Sequence, residues 1–317
     1  MKNIDIVVPL FNEEEVVMEF FEALEKETSE IVLNNTELEF NFIFVDNGSV
    51  DDTHSILKKI GKEMKNFNLI KLVRNFGIDG GIRAGLSFSD GDAAIILHGD
   101  LQDNPKIIKK LVQSWQDGFE QVVVRYNPLA RESLYRKFGT YFYYKWATYA
   151  SDGLIISGVS DFRLITKKVV RLVRSLEETV FLLRGIFIWP GYKYKIIDEL
   201  KDKRKSGKSN INLPTVLRYF KLPISLSTRI LYFIPILSSI IFILSILFVA
   251  FTFFYFVITG NLLIEIEPRL TILIFINITL VMMVGILSAY IGVIFEEVKR
   301  RPAFIIDDAG TIGNKKI

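Results

Sequence analysis

The chain has 317 residues, half of them hydrophobic, with no cysteine and a formal net charge of +3. These values exclude a disulfide framework and a cysteine-based metal site, and the charge is too small to indicate binding to nucleic acid. The apolar surplus lies after about residue 225, and the part before it has the composition of an ordinary globular domain.

Short apolar runs alternate with segments of helical spacing through this first part. The runs predict strands at 4–8, 40–45, 69–73, 93–97 and 121–125. Helices are predicted at 13–32, after Asp51, at 78–88 and from Pro105 to about 115, and His54 is interpreted as a structural residue of the second helix. The alternation predicts an α/β domain with a mainly parallel sheet, in which ligands bind at the carboxyl ends of the strands.

Polar loops follow three of these predicted strands, at 9–13, 46–49 and 98–103. The first offers an aromatic ring and polar groups to a nucleotide base, and the second offers hydrogen bonds to the base or ribose. Polar residues alternate at 98, 100 and 102, and in an extended chain they would point the same way and hold a divalent cation against a diphosphate. Each loop alone is equally typical of turns and caps, but together they predict one site.

Two uncharged runs, 230–258 and 270–295, follow the globular part. Both exceed the roughly 20 residues that a membrane span requires, and buried core helices are the alternative. The segment between them is short, so a hairpin is predicted. Basic residues flank both runs on the outer side, at 201–229 and at 299–301, whereas the connecting segment contains Arg269 alone. This bias predicts that the N-terminal domain and both flanks are cytoplasmic, and no signal-peptide-like stretch precedes the first strand.

The chain therefore divides into a globular domain at 1–210, a segment at 211–229, two transmembrane helices at 230–259 and 270–295, and a cytoplasmic tail at 296–317. The segment at 211–229 mixes apolar and basic residues and is predicted to lie as amphipathic helices in the membrane interface. A plain linker is the alternative.

The motifs resemble those of family 2 glycosyltransferases of GT-A (Rossmann-like) fold, in the branch that glycosylates polyprenyl phosphates. That branch includes dolichyl-phosphate mannose synthases and bacterial enzymes that make polyprenyl-phosphate glucose. The resemblance runs from Ile4 to the second span. The matching stretches are 7–13 (VVPLFNE), 45–49 (VDNGS) with Asp51 and Thr53, 74–77 (RNFG), 99–103 (GDLQD) with Pro105, 161–164 (DFRL), Arg184-Gly185, and Arg204 with 207–209 (GKS).

The resemblance implies a role for each matching residue. The donor nucleotide-sugar is assigned to Pro9, Phe11, Asn12, Glu13, Asp46, Asn47, Ser49, Asn75 and Gly77. A divalent cation, Mn²⁺ or Mg²⁺, is assigned to Asp100 and Gln102, with His98 as a further ligand. Asp161 and Asp100 are the catalytic candidates. Phosphate groups of donor or acceptor are assigned to Arg125, Arg131, Arg163, Arg184, Arg204 and Lys208.

Alternatives from the residues themselves stay open. Asp161 orients the acceptor, balances charge near the reacting carbon or acts as a base, or else it is a buried acid paired with Arg163 or another arginine. Arg125, Arg131 and Arg136 also fit a solvated basic face, and Arg204 and Lys208 also fit attraction to anionic lipid headgroups. The aromatic segment 141–149 is interpreted as packing or interfacial contact.

Three positions depart from the family pattern. Asn47 replaces an aspartate expected to contact the base, so base preference is uncertain although an amide oxygen still accepts hydrogen bonds. His98 replaces the first aspartate of the metal motif, which predicts a shift toward Mn²⁺ or weaker metal dependence because imidazole suits Mg²⁺ less well. Ile78 replaces a lysine, which predicts weaker phosphate binding or altered acceptor contacts.

The resemblance implies inverting transfer of a sugar, with UDP-glucose as the leading donor, to a polyprenyl phosphate such as undecaprenyl phosphate. The product would be a lipid-linked sugar for modification of cell-envelope glycans at the inner face of a bacterial plasma membrane. GDP-mannose and other UDP-sugars are alternative donors, and homo-oligomerisation is an expectation from the family. A processive polysaccharide synthase is disfavoured because a Gln-x-x-Arg-Trp motif and further spans are missing from the sequence. A catalytically inactive nucleotide-binding scaffold is the alternative from another class.

Overall fold

The computed structural model describes residues 1–127, 134–178, 182–200, 226, 229–260 and 268–312. Within them, seven strands form one sheet in the order β3-β2-β1-β4-β6-β5-β7. The strands are β1 (Lys2–Leu10), β2 (Leu38–Asp46), β3 (Phe67–Lys71), β4 (Ala93–Ile96), β5 (Gln121–Asn127), β6 (Val159–Thr166) and β7 (Tyr194–Leu200).

The predicted α/β domain and its mainly parallel sheet are confirmed. Strands β3, β2, β1 and β4 run parallel to one another, and β5 runs parallel to β7, whereas β6 is antiparallel to both β4 and β5. The five predicted strands match β1 to β5. Strands β6 and β7 add to the expected pattern, and β6 contains the Asp-Phe-Arg-Leu motif.

Helices cover both faces of the sheet. They are α1 (Val17–Asn34), α2 (Thr53–Glu63), α3 (Gly77–Phe88), α4 (Ile108–Gln116) after a 3₁₀ turn at Pro105–Ile107, α5 (Leu134–Ala150), α6 (Lys167–Ser175) and α7 (Leu183–Ile188). Successive β1 residues face opposite sides, so Ile6 packs in a core with α1, α2 and α4, whereas Val7 packs in a second core with α3, α6 and α7. The loops at the carboxyl ends of β1, β2 and β4 are therefore held above a sheet that is buried on both faces.

Two long apolar helices, α8 (Arg229–Thr259) and α9 (Pro268–Val298), follow the sheet domain and contact each other. Both contain a stretch long and apolar enough to cross a membrane, Ser239–Thr259 and Ile276–Val298. Within these stretches 0% and 6% of the residues are buried. The alternative of buried core helices therefore does not fit the structure.

The segment 299–312 after α9 returns to the sheet and pairs with its edge strand. The backbones of Leu69 and Ile312 exchange hydrogen bonds of 2.7 and 2.8 Å, and Asp307 N–H donates to the Lys71 carbonyl at 2.7 Å. Phe304 and Ile306 pack against the second core. The segment was expected only to be a tail, but in the structure it covers the exposed edge of β3. We call residues 299–312 the C-terminal segment.

Candidate functional site

The loops after β1 and β2 are joined by hydrogen bonds. The N–H of Asn12 donates to the Ser49 hydroxyl at 3.0 Å, and the Asn12 side chain accepts from the N–H of Val50 at 3.0 Å. Glu13 N–H donates to the Thr53 hydroxyl at 2.9 Å. Asn12 has a φ of 54°, in the left-handed region that asparagine tolerates. Asn12 and Ser49, both predicted to bind the donor, thus hold the two loops together.

The other residues of these loops that are predicted to bind the donor nucleotide-sugar differ in accessibility. Phe11 is 40% exposed, so its ring is available to stack on a base, whereas Pro9 is buried in β1. Asp46 is fully buried. Its Oδ1 accepts the N–H of Ser49 at 2.8 Å, and its Oδ2 lies 3.1 Å from Nδ1 of His54. The buried Asp46 carboxylate therefore supports the loop through the N–H of Ser49.

The side-chain amide of Asn47 connects β2 to the loop before α3. Its Nδ2 donates to the Gly77 carbonyl at 2.8 Å and to Asn75 Oδ1 at 3.3 Å, while its Oδ1 accepts from Phe76 N–H at 2.9 Å. An aspartate has no N–H groups with which to make the first two bonds. The structure thus gives a physical reason for asparagine at position 47. Its side-chain amide holds in place Asn75 and Gly77, two residues predicted to bind the donor nucleotide-sugar.

The loop after β4 is not extended as predicted. Leu101 has a φ of 60°, so the chain turns and the alternation of side chains is broken. Asp103 is buried beneath the loop, where it accepts the His98 N–H at 2.9 Å and the Tyr126 hydroxyl at 2.7 Å. Burial raises the pKa of Asp103. The prediction assumed a regular strand through 98–102, and the turn at Leu101 departs from that assumption.

The predicted metal ligands have different hydrogen-bond and ion-pair partners. Asp100 and Gln102 lie half-buried, with Asp100 Oδ1 accepting the Gln102 N–H at 3.1 Å. His98 instead places Nε2 3.5 Å from Asp161 Oδ2. Among the described residues, no cluster of three His, Asp or Glu side chains is placed to hold a metal. A site of one carboxylate still fits Mg²⁺ or Mn²⁺, since such ions are commonly held by one or two carboxylates together with substrate phosphates and water.

Asp161 lies at the start of β6 and forms a two-point ion pair with Arg184 of α7. Arg184 Nε and Nη2 donate to the two carboxylate oxygens at 2.8 and 2.7 Å. Burial alone would raise the pKa of Asp161, but the charge and hydrogen bonds of Arg184 and His98 hold it well below its ordinary value. Asp161 raises the pKa of Arg184 in turn. The carboxylate therefore stays ionised at neutral pH and can balance charge, but it is a weak proton acceptor.

The other predicted phosphate-binding arginines have different surroundings. Arg125 pairs with Asp198, with an Nη2 to Oδ2 distance of 2.9 Å. Arg163 is fully buried, lies 4.4 Å from the centre of the Phe187 ring and donates to the Ser160 carbonyl at 2.7 Å. Burial lowers the pKa of Arg163 to about 10. The predictions for Arg131, Arg204 and Lys208 lie outside the described residues.

The Arg184–Asp161 pair lines a cavity of about 240 Å³. Its remaining wall is mostly apolar and comes from the start of α3, from α5, from the segment before β6 and from α7; it includes Ile78, Tyr143, Tyr144, Leu154, Ile155 and Ile188. Sequence reasoning missed this lining, although the aromatic segment 141–149 was a usable signal. At Ile78, the family's lysine is replaced by an apolar side chain that faces the cavity.

Both ends of the α8–α9 hairpin approach elements that line this cavity. Leu226, just before α8, packs against Gly185, the residue after Arg184. Beyond α9, the carbonyl of Ala303 lies so close to Gly80 that a Cβ there would be 3.1 Å away. Gly80 belongs to the first turn of α3, next to Gly77, Ile78 and Asp79 of the cavity wall. The two apolar helices thus leave the sheet domain beside the cavity.

The chain is similar in sequence to known glycosyltransferases. Residues 5–171 match the sequence model of glycosyl transferase family 2. The chain is 29% identical to CsbB of Bacillus subtilis (strain 168), a glycosyltransferase by name, over 99% of this chain and 94% of that protein. It is 28% identical to the SfII prophage-derived bactoprenol glucosyl transferase of Shigella flexneri, over 96% of this chain and 97% of that protein. Among solved structures, glucosyl-3-phosphoglycerate synthase of Mycobacterium tuberculosis is similar at 15% identity, with a TM-score of 0.45, 71% of this chain and 78% of that chain covered. The chain belongs to glycosyl transferase family 2 and is a glycosyltransferase.

Proposed function

We propose that this protein transfers glucose from UDP-glucose to a polyprenyl phosphate such as undecaprenyl phosphate, with inversion at the anomeric carbon. The observation that carries the proposal is the apolar cavity with Arg184 and Asp161 in its wall, beside both ends of the apolar hairpin. Relatives named bactoprenol glucosyl transferase, aligned over nearly their whole length, support the same acceptor class.

The cavity suits the phosphate end of a lipid. Its apolar wall favours isoprenoid carbons, whereas a soluble sugar acceptor needs many polar partners. Arg184 is 39% exposed and uses two of its five N–H donors on Asp161, so, as far as the described residues go, three remain for phosphate oxygens. Because α8 and α9 leave the domain beside this cavity, a lipid headgroup at the membrane surface is within reach of it.

The reaction we propose is direct displacement of the nucleoside diphosphate by the lipid phosphate. A phosphate monoester has a second pKa near 6, so most of it is already a dianion at neutral pH and needs no strong base. Asp161, which stays ionised and is a weak proton acceptor, is compatible with an acceptor that needs no strong base. We infer that Asp161 orients Arg184 and limits the excess of positive charge beside the phosphate, while Arg184 binds the phosphate itself.

We propose that the donor nucleotide-sugar binds at the carboxyl ends of β1, β2 and β4. Phe11 would stack on the base, and the loops that contain Asn12, Ser49 and Asn75 would contact the nucleoside. A divalent cation held by Asp100 and Gln102 would offset the charge that grows on the departing diphosphate. Asp100 is thus the residue that connects donor binding to leaving-group departure.

We further propose that residues 1–210 form the catalytic domain on the cytoplasmic side. In this proposal 211–229 lies in the interface, 230–259 and 270–295 span the membrane, and 296–317 returns to the cytoplasm. The basic flanks support this orientation.

The test is sugar transfer by the full-length protein in detergent, from radiolabelled UDP- and GDP-sugars to polyprenyl phosphate, with Mn²⁺, Mg²⁺ or EDTA. A lipid-linked product from UDP-glucose supports the proposal, and a product from GDP-mannose corrects the donor. Asp100→Asn is the matched inactive control. Intact donor binding with no product from any donor would replace the proposal with a non-catalytic nucleotide-binding role.

A further inference from the structure

His54 lies in the first turn of α2, outside the motifs assigned above. Its Nδ1 is 3.1 Å from Oδ2 of the fully buried Asp46, and the imidazole itself is 19% exposed. Sequence reasoning interpreted His54 as a structural residue of its helix. Its contact with Asp46, the last residue of β2, also connects His54 to the end of that strand.

The imidazole of His54 is the polar neighbour of the Asp46 carboxylate on its Oδ2 side. In the part of the chain that the structure describes, Oδ2 and the facing Nδ1 of His54 both lack an aligned hydrogen-bond partner, although the two atoms are only 3.1 Å apart. A buried carboxylate oxygen that faces an apolar side chain loses stabilisation, and the group then rotates or draws in water. Either response disturbs the Oδ1 contact as well, because both oxygens belong to one rigid carboxylate.

That Oδ1 contact leads directly to the loops proposed to bind the donor. Oδ1 holds the N–H of Ser49 at 2.8 Å, the Ser49 hydroxyl accepts the N–H of Asn12 at 3.0 Å, and the Asn12 side chain accepts from Val50 N–H. A shift of the Asp46 carboxylate is therefore passed to both loops through three consecutive hydrogen bonds. Asp46, being fully buried, cannot transmit its effect by touching a ligand.

We propose that His54 is a positioning residue for the nucleotide donor, which acts through the orientation of the Asp46 carboxylate. The inference rests on the proposed function, since it needs a nucleoside diphosphate bound at these loops. It predicts an effect on donor binding and none on the lipid acceptor, whose proposed cavity lies between α3, α5 and α7.

The test compares His54→Leu, His54→Asn and His54→Gln in the full-length protein, with Lys59→Leu as an exposed control on the same helix. UDP affinity is measured by calorimetry, and donor and acceptor KM by product formation. His54→Leu should weaken UDP binding and raise donor KM by about tenfold, the order of the penalty for a buried carboxylate oxygen left beside an apolar side chain, with acceptor KM unchanged. His54→Asn should restore most of this loss, because its amide nitrogen takes the position of Nδ1, and His54→Gln should not.

Three results would overturn the inference. They are UDP affinity unchanged in His54→Leu, donor and acceptor KM altered together, or equal behaviour of the Asn and Gln variants. The Asn and Gln comparison keeps the test decisive if His54→Leu fails to fold. A wild type that binds neither UDP nor GDP would remove the proposed function itself, whereas normal wild-type binding with an unaffected Leu variant would remove only the role of His54.

Discussion

The guanidinium of Arg184 and the carboxylate of Asp161 face each other through two parallel hydrogen bonds, 23 residues apart in the chain and at the wall of an apolar cavity. Arg184→Ala would remove the two-point partner of the buried carboxylate and leave it with His98 beside one oxygen. We expect a loss of about 1–3 kcal/mol in unfolding free energy, at the lower end because Arg184 is partly exposed to screening solvent. We also expect loss of sugar transfer to the lipid. Thermal unfolding and the product assay measure the two effects.

The double variant Arg184→Ala/Asp161→Asn separates the effect on stability from the effect on sugar transfer. Removing the charge of Asp161 should recover most of the lost stability but none of the transfer, because the phosphate ligand is still missing. Recovery of both would show that Arg184 has only a structural role.

Asn47→Asp should weaken binding of the donor nucleotide-sugar, although aspartate is the residue that the family usually has there. The carboxylate would face the Gly77 carbonyl and Asn75 Oδ1, two acceptors, without an N–H to donate. We expect donor KM to rise by about tenfold and amide exchange at 75–80 to increase. Unchanged exchange in this segment would contradict the role assigned to the Asn47 amide.

Asp100 and His98 should differ in their effect on metal use. Asp100→Asn should abolish transfer with either Mn²⁺ or Mg²⁺, because it removes the carboxylate proposed to hold the ion. His98→Asn should lower activity yet keep the ratio of Mn²⁺ to Mg²⁺ activity, since Nε2 faces Asp161. A changed ratio in the His98 variant would instead favour His98 as a metal ligand.

Truncation after Arg301 should destabilise the sheet domain. It removes Phe304 and Ile306 from the second core and exposes the edge of β3. We expect a lower midpoint of thermal unfolding and more aggregation on size-exclusion chromatography. Truncation after Ile312 is the matched control, as it leaves every contact of the C-terminal segment described above in place. Similar behaviour of the two truncations would contradict this account.

Sequence patterns predicted the first five of the seven strands because each is a compact apolar run between polar turns. They also predicted the two apolar helices, where length and composition alone decide the outcome. The turn at Leu101 was not predictable, since a leucine with positive φ has no local signature. The partner of Asp161 was left open between arginines, because only tertiary packing places α7, and not another element, beside β6.

The bond between Lys71 and Thr311 joins residues that are 240 positions apart. Strand β3 is synthesised early, and the segment that covers its edge is synthesised after both apolar helices. During translation the edge thus stays open until the hairpin has been made. Contacts of such sequence separation form late and slowly. The sheet domain therefore reaches its final form only after the C-terminal segment has left the ribosome, so the fold of this enzyme is completed after its own hairpin has been made.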